Sequence, residues 1–97
     1  MIKHINSEEF SNSLLNSKDT FIVDFYADWC GPCRMLSTIL EELENINIYK
    51  INVDDEQELA MKYGVMSIPC LVSFKEGKEY KRSVGLVDKE TIIDLTK

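Results

Sequence analysis

The chain carries two cysteines three positions apart, Cys30 and Cys33, in the stretch ADWCGPCRM. Two thiols at this spacing can form half of a zinc site, brace the chain as a structural disulfide, or exchange electrons as a reversible dithiol. The chain has 97 residues and three cysteines in all, too few for the disulfide framework of a small secreted scaffold. Redox chemistry and metal binding therefore stay open for this pair.

The residues between the two cysteines favour redox chemistry. Pro32 is tolerated in the first turn of a helix, so a helix that begins here places Cys30 at or just before its N-terminus. Free backbone N–H groups and the helix dipole stabilise a negative sulfur there, which predicts that Cys30 is the attacking thiolate. Gly31 permits a tight turn and Pro32 stiffens it, so the two sulfurs stay close enough to form a disulfide.

A zinc site is the alternative, and it needs two further ligands. Cys70 and His4 are the candidates that the chain offers, and neither belongs to a second CxxC pair or to an HxxxH pair. The spacing of the cysteines thus favours a redox dithiol and leaves the metal site as the second interpretation.

Short apolar strands alternate with amphipathic segments along the chain, and these elements must position the dithiol. The pattern predicts strands over 20–27, 47–54, 70–74 and 79–84, and helices over 7–17, 33–46, 56–64 and 88–97. Three capping and turn features are expected: Ser7 as the first N-cap, Gly64 as a left-handed cap, and Glu76 with Gly77 in a hairpin turn. We expect an α/β fold with a central mixed β-sheet of four to five strands, flanked by helices on both faces.

Asp24 is the exception on the first predicted strand, whose other residues are apolar on both alternating faces. A carboxylate on a strand covered on both sides must either be paired or have a raised pKa. Lys50, on the next predicted strand, is the candidate partner. The residues alone leave two interpretations for Asp24, a proton acceptor near the dithiol and a simple buried salt bridge.

Composition and charge restrict the class of protein. The length fits a single domain, and 44% hydrophobic with 29% charged residues is typical of a globular chain. The net charge of -6 argues against a nucleic-acid partner, because phosphates are bound through clustered lysine and arginine. No apolar run approaches the roughly 20 residues that span a bilayer, and the first residues lack the apolar region of a secretory signal. We expect no membrane contact and a cytoplasmic location.

Four segments together, VDFYADWCGPCRM, KINVD, KYGVMSIPCLVSFKEG and VGLVDKE, resemble the thioredoxin family in their order and spacing. The resemblance covers most of the chain and implies the thioredoxin fold in one domain over 1–97. It implies a thiol–disulfide oxidoreductase that reduces disulfides in other proteins and works as a monomer. A thioredoxin reductase would re-reduce it, and no bound cofactor is expected because the two cysteines carry the electrons.

The resemblance also implies roles for the residues of the reaction. Cys30 would attack a partner's disulfide, and Cys33, the more buried thiol, would resolve the mixed disulfide that forms. Asp24 would accept the proton of Cys33 through a water molecule, and Lys50 would tune the charge of Asp24. Tyr26 occupies a position that is often tryptophan in the family, and we expect it to pack.

The resemblance implies a second wall of the site at the segment SIPC, where the peptide bond before Pro69 is expected to be cis as in the family, whereas an isolated proline is more often trans at the start of an edge strand. The backbone of Ile68 would pair with an extended segment of the partner, and the bare backbone of Gly85 would let that segment approach. The expected docking patch is apolar and consists of Trp29, Gly31, Pro32, Met66, Ile68, Pro69 and Gly85.

Cys70 departs from the family pattern, which usually has a threonine after the proline. On a buried strand a free cysteine behaves as a small hydrophobe, and a regulatory or metal-trapping thiol is the alternative hypothesis. Two other functions are kept for the whole chain. One is a glutaredoxin-like electron carrier that uses glutathione, and the other is a non-enzymatic zinc-binding or structural subunit.

Overall fold

A computed structural model describes residues 1–97, and a five-stranded mixed sheet lies at its centre. The elements in chain order are β1 (Ile2–His4), α1 (Ser7–Asn12), β2 (Phe21–Tyr26), α2 (Gly31–Glu41), β3 (Asn47–Asn52), α3 (Gln57–Lys62), β4 (Cys70–Lys75), β5 (Lys78–Val84) and α4 (Lys89–Asp94). The strand order is β1-β3-β2-β4-β5. β3 runs parallel to both β1 and β2, and β4 runs antiparallel to β2 and β5. The expected mixed sheet is confirmed.

Strand β2 occupies the middle of the sheet, and its alternating side chains are buried on both faces. One face packs against α1 and α3 in a cluster that includes Phe10, Phe25 and Phe74. The other face packs against α2 and α4 in a cluster that includes Leu36 and Ile92. Helices therefore cover both faces, as the two-sided apolar pattern of β2 predicts. None of the helices is long and apolar enough to cross a membrane.

The first helix begins at Ser7, the first residue of its predicted range, but its capping residue differs from the prediction. Its N-cap is Asn6, not Ser7, and the Asn6 side chain accepts a hydrogen bond from the Glu9 backbone N–H at 2.8 Å. The Glu9 carboxylate in turn accepts from the Asn6 backbone N–H at 3.3 Å, which completes a capping box. Asparagine caps a helix as well as serine does, so the N-x-x-E spacing was the better guide. After α1 the chain tightens into a short 3-10 turn over Leu14–Asn16.

The second helix is displaced toward the N-terminus of its predicted range, 33–46. It begins at Gly31 and ends at Glu41, and Asn45 adopts a left-handed conformation with φ of 63°. Leu43 and Ile46 still pack against the apolar cluster of α2 and α4, although they lie beyond the helix. Their helical spacing reflects burial at the end of the element and led to the overestimate of its length.

The N-terminal strand β1 was not predicted, because three residues carry too little pattern to indicate a strand. It forms by parallel pairing with β3, from Ile2 opposite Ile48 to His4 opposite Lys50. The hairpin of β4 and β5 is confirmed. Its turn has positive φ at Glu76 and Gly77, and a side chain at Gly77 would collide with the Leu15 carbonyl oxygen at 2.4 Å. Glycine is required at that position.

Candidate active site

The two cysteines of the motif lie where β2 ends and α2 begins. Cys30 is the N-cap of α2, and its sulfur accepts a hydrogen bond from the Cys33 backbone N–H at 3.2 Å. The two sulfurs form a disulfide, with the Cα atoms 5.2 Å apart. Cys30 is 5% exposed and Cys33 is 2% exposed, so both lie below the surface in this oxidised form. The predicted contact between a helix N-terminus and the first sulfur is present.

Pro32 lies in the first turn of α2, as predicted, where its missing N–H is not needed. Gly31 is the first residue of the helix, and its φ is not positive. A Cβ atom added at Gly31 would meet no atom closer than 3.9 Å, the nearest belonging to the Arg34 side chain. The turn therefore does not require a glycine, which corrects the sequence-based reason for Gly31. Because Gly31 has no side chain, it leaves its backbone uncovered beside the dithiol.

Asp24 is completely buried on the sheet face that packs against α2. The Lys50 ammonium lies 3.5 Å from one carboxylate oxygen, and the two residues are direct partners in the β2–β3 register. Neither carboxylate oxygen has a hydrogen-bond partner. Burial raises the pKa of Asp24 from 3.8 to about 6, because the opposing effect of the Lys50 charge is smaller. The site therefore holds a carboxyl group that changes protonation near pH 6.

Lys50 links Asp24 to the dithiol helix. Besides the ion pair with Asp24, its ammonium donates a hydrogen bond to the Ser37 hydroxyl. Ser37 stands four residues after Cys33, so the two side chains project from the same face of α2. An open depression of about 240 Å³ lies along this face, and its lining includes Cys33, Ser37 and Lys50. Solvent can approach the buried side of the dithiol from there.

The structure places some residues of the expected second wall close to the dithiol. Ile68 packs against the small cluster of Ala27, Cys30 and Cys33, and the Ile68–Pro69 peptide bond is cis, as the resemblance implies. The Gly85 backbone N–H donates a hydrogen bond to the Pro69 carbonyl at 2.8 Å.

Gly85 and Met66 present open surface on this wall. Gly85 has φ of 91°, and a Cβ built there would have no neighbour within 4 Å. Met66, two residues before Ile68, is 93% exposed. An apolar side chain of this size in full contact with water is available to a partner.

One family matches the whole chain. The family model described as Thioredoxin matches residues 1–97. Thioredoxins from Chlamydia pneumoniae and Chlamydia caviae are 48% and 44% identical to it, each over 98% of this chain and 95% of the relative. Thioredoxin from Bacillus subtilis is 43% identical over 94% of this chain and 92% of the relative. The chain belongs to the thioredoxin family.

Solved thioredoxins share the fold. A mutant thioredoxin from Halobacterium salinarum superposes with a TM-score of 0.88 at 37% identity, over 98% of this chain and 87% of that chain. Thioredoxin from Malassezia sympodialis gives a TM-score of 0.86 at 26% identity, over 98% of this chain and 90% of that chain. The thioredoxin fold that the sequence resemblance implied is confirmed.

Membership in the thioredoxin family decides between the interpretations that the cysteine spacing left open. The chain is a thiol–disulfide oxidoreductase, and its chemistry is the exchange between a dithiol and a disulfide. Thioredoxins reduce disulfides in target proteins and need no bound cofactor, because the cysteine pair itself carries the electrons. The glutaredoxin-like carrier and the zinc-binding or structural subunit are not supported. No three His, Cys, Asp or Glu side chains are grouped so that they could hold a metal ion.

Cys70 is a free thiol within the apolar core of this thioredoxin domain. It packs in the cluster beneath α1 and α3, together with Phe25 and Val72. That cluster lies on the opposite face of the sheet from Asp24. Burial raises the pKa of the Cys70 thiol, so the neutral form is favoured. The structure supports the small-hydrophobe interpretation of Cys70 over a metal-trapping thiol.

Asp54 is a site residue that sequence reasoning missed. Trp29 is 69% exposed, and its indole N–H donates a hydrogen bond to the Asp54 carboxylate at 2.8 Å. Asp54 follows β3, which runs parallel to β2, so the two strands end at the same edge of the sheet. A polar residue just past the end of β3 was the available signal. Ser37 was also missed, although its four-residue helical spacing from Cys33 was visible in the sequence.

Proposed function

We propose that Cys30 attacks the disulfide of a target protein and that Cys33 resolves the mixed disulfide. The Cys30 thiolate bonds to one target sulfur and displaces the other as a thiolate, which takes a proton from water. Cys33 then gives up its proton, its sulfur bonds to Cys30, and the remaining target sulfur leaves. Two electrons pass from the dithiol to the target, and the chain is left with its Cys30–Cys33 disulfide.

The observation that supports this order is the Cys33 backbone N–H, which points at the Cys30 sulfur from the start of α2. A helix N-terminus stabilises a thiolate on that sulfur and offers nothing comparable to the second cysteine. Cys30 is therefore the better nucleophile in the reduced protein. Cys33 becomes reactive only when its proton is removed.

Single-cysteine variants test the division of labour. Reduced Cys33→Ser that has been freed of dithiothreitol and mixed with a disulfide-bonded protein should accumulate a covalent adduct with the target, visible by mass spectrometry. Cys30→Ser should form no adduct and should lose the activity. Cys70→Ser is the matched control, because it removes a thiol that lies on the other face of the sheet. An adduct formed through Cys33 in the Cys30→Ser protein would contradict the proposed order.

We infer that Asp24 takes the proton of Cys33, with a water molecule in the depression beside α2 as the bridge. Three features support this role: the carboxylate is buried, both of its oxygens lack hydrogen-bond partners, and Lys50 connects it to the depression that Cys33 lines. A base with a pKa near 6 is ionised at neutral pH and can still hold a proton briefly. Lys50 keeps the carboxylate ionised by its positive charge.

Kinetic separation of the two steps tests this role of Asp24. Loss of a positioned general base slows a proton-transfer step by about 100-fold or more. Asp24→Asn should therefore slow resolution of the mixed disulfide strongly, while formation of the mixed disulfide, which needs only the Cys30 thiolate, changes little. Single-turnover experiments with a target that fluoresces on release measure both rates. Equal slowing of the two steps would contradict the assignment.

We propose that target proteins dock on the surface formed by Trp29, Gly31, Pro32, Met66, Ile68, Pro69 and Gly85. The exposure of Trp29 and Met66 supports this, since each side chain leaves a large apolar surface that a partner can cover. The uncovered backbone at Gly85 supports the close approach of an extended target segment, which would pair with the backbone of Ile68. Ala substitution of Met66 should raise the KM for a protein target and leave the reduction of small disulfides unchanged.

We further propose that a thioredoxin reductase returns the electrons, and that the chain works in the cytoplasm as one monomeric domain over 1–97. A single sheet with a core on each face supports the single domain. The unpaired Cys70 suits a reducing compartment. Charged residues along the edge strand β5 oppose pairing with a second copy. Assays with NADPH-linked and ferredoxin-linked reductases, with sedimentation analysis of the free protein, test these points.

A further inference from the structure

Tyr26 and His4 form a polar contact next to the buried ion pair that the sequence did not indicate. Tyr26 is the last residue of β2, and its ring lies under the Lys50 ammonium with 4.7 Å between the nitrogen and the ring centroid. The His4 Nδ1 atom lies 3.0 Å from the Tyr26 hydroxyl oxygen. The two rings meet edge to face, with centroids 5.7 Å apart and an interplanar angle of 78°. Tyr26 thus does more than pack.

The Lys50 ammonium lies between the buried carboxylate and two depressions that are open to solvent. Inside, it contacts Asp24 and Ser37. Outside, two open depressions of about 240 and 260 Å³ meet at Lys50, and both are also lined by His4 and Tyr26. An ammonium is strongly hydrated and sits on a flexible stem, so water in these depressions competes with Asp24 for it. The Tyr26 ring lies where it opposes that competition, because the ring face attracts a cation.

We propose that Tyr26, oriented by His4, is a positioning residue that holds the Lys50 ammonium at Asp24 and so sets the pH range in which Asp24 accepts a proton. The inference rests on the proposed role of Asp24 in the resolving step. Tyr26 also packs against the small cluster of Ala27, Cys30 and Cys33, and in this scheme it takes no part in bond making or proton transfer. It acts through Lys50, whose positive charge stabilises the ionised carboxylate.

Other ionisable groups face this cluster from every neighbouring element. They are Cys33 and Arg34 from α2, Asp28 after β2, Asp55 and Glu56 after β3, and Glu9 from α1, whereas Cys70 from β4 lies on the opposite face of the sheet. The acidic members line the same two depressions as Tyr26 and Lys50. All of them are retained in the variants below, so their contribution cancels when variants are compared at one pH.

The decisive variant is Tyr26→Leu, which removes the ring and keeps a side chain of apolar character. Release of Lys50 toward water weakens its stabilisation of the carboxylate, so the pKa of Asp24 should rise above 6 by about half a unit or more. Carbon-detected NMR titration of the Asp24 carboxyl measures this directly. At about pH 5, below both pKa values, the ionised fraction and the rate of resolution should fall about threefold. At about pH 8 both proteins are ionised, and the rates should coincide.

Three further variants separate positioning from a structural role. In a Lys50→Met background, Tyr26→Leu should produce no further change in the Asp24 pKa, since no ammonium remains to be held. Tyr26→Phe keeps the ring face and loses only the hydroxyl contact with His4, so it should raise the Asp24 pKa by the same small amount as His4→Ala. His4→Ala, at an exposed position, should raise the Asp24 pKa in the same direction as Tyr26→Leu by a smaller amount. Melting temperatures monitor folding, and Tyr26→Met replaces the leucine variant if that protein does not fold.

Two results would overturn the inference: an unchanged Asp24 pKa in the ring-deleted variant, or a shift of equal size in the Lys50→Met background. An unchanged pKa in His4→Ala alone would overturn the orienting role of His4. Failure of the proposed function has a different signature. If Asp24→Asn leaves the resolving step at the wild-type rate, Asp24 is not the acceptor, whatever Tyr26→Leu does to its pKa.

Discussion

Replacement of Asp24 by asparagine should stabilise the protein at neutral pH while it impairs the reaction. Burial raises the pKa of Asp24 from 3.8 to about 6, so the folded state holds this proton more tightly than the unfolded state does. The unfolded chain therefore releases the proton first as pH rises, and the free energy of unfolding falls between about pH 4 and pH 6. A shift of about two pKa units corresponds to about 3 kcal/mol, lost in full above both pKa values.

Asparagine has nearly the shape of the protonated carboxyl group and never ionises. We therefore expect Asp24→Asn to match the wild type in free energy of unfolding at about pH 3 and to exceed it by about 3 kcal/mol at about pH 8. Urea unfolding of the oxidised proteins, followed by fluorescence of Trp29, the only tryptophan, provides the measurement. Asp28→Asn is the matched control, because an exposed carboxylate of the same region should change stability by less than about 0.5 kcal/mol.

Two outcomes would refute this reasoning about Asp24. A difference between wild type and Asp24→Asn that is the same at all pH values would show that ionisation of the carboxyl is not its source. A variant less stable than the wild type at about pH 8 would show that the ion pair with Lys50 outweighs the cost of burial. Either result would also remove the physical basis for a proton acceptor poised near pH 6.

Two further predictions concern residues around the dithiol. Asp54→Ala removes the acceptor of the Trp29 indole N–H and should raise the KM for a protein target about threefold with kcat unchanged. Asp54→Asn keeps an acceptor oxygen and is the control. A fall in kcat alone in the alanine variant would argue against a docking role for Asp54. Cys70→Val should keep full activity and lose less than about 1.5 kcal/mol of stability, because the thiol fills a core position. Altered oxidation products or activity in Cys70→Val would reinstate a redox role for that thiol.

Local patterns in the sequence predicted most of the fold. The apolar spacing of the two faces of β2 predicted a central strand between helices, and Pro32 after a cysteine predicted the start of α2 at the dithiol. The errors lie at ends and short elements. The N-cap of α1 is Asn6 rather than Ser7, and α2 ends at Glu41 rather than at residue 46. Strand β1 was not predicted, because its three residues form a strand only by pairing with β3.

The sequence by itself determined which groups are available to react, since a thiol pair at a helix start and a carboxyl group on a buried strand are local features that need no knowledge of distant residues. Only the tertiary structure decided how that chemistry is adjusted. The register of β2 and β3 sets Lys50 beside Asp24, and the pairing of β1 carries His4 to Tyr26. These contacts join residues far apart in the chain, so their distances depend on strand order and register. Spacing along the sequence does not contain that information.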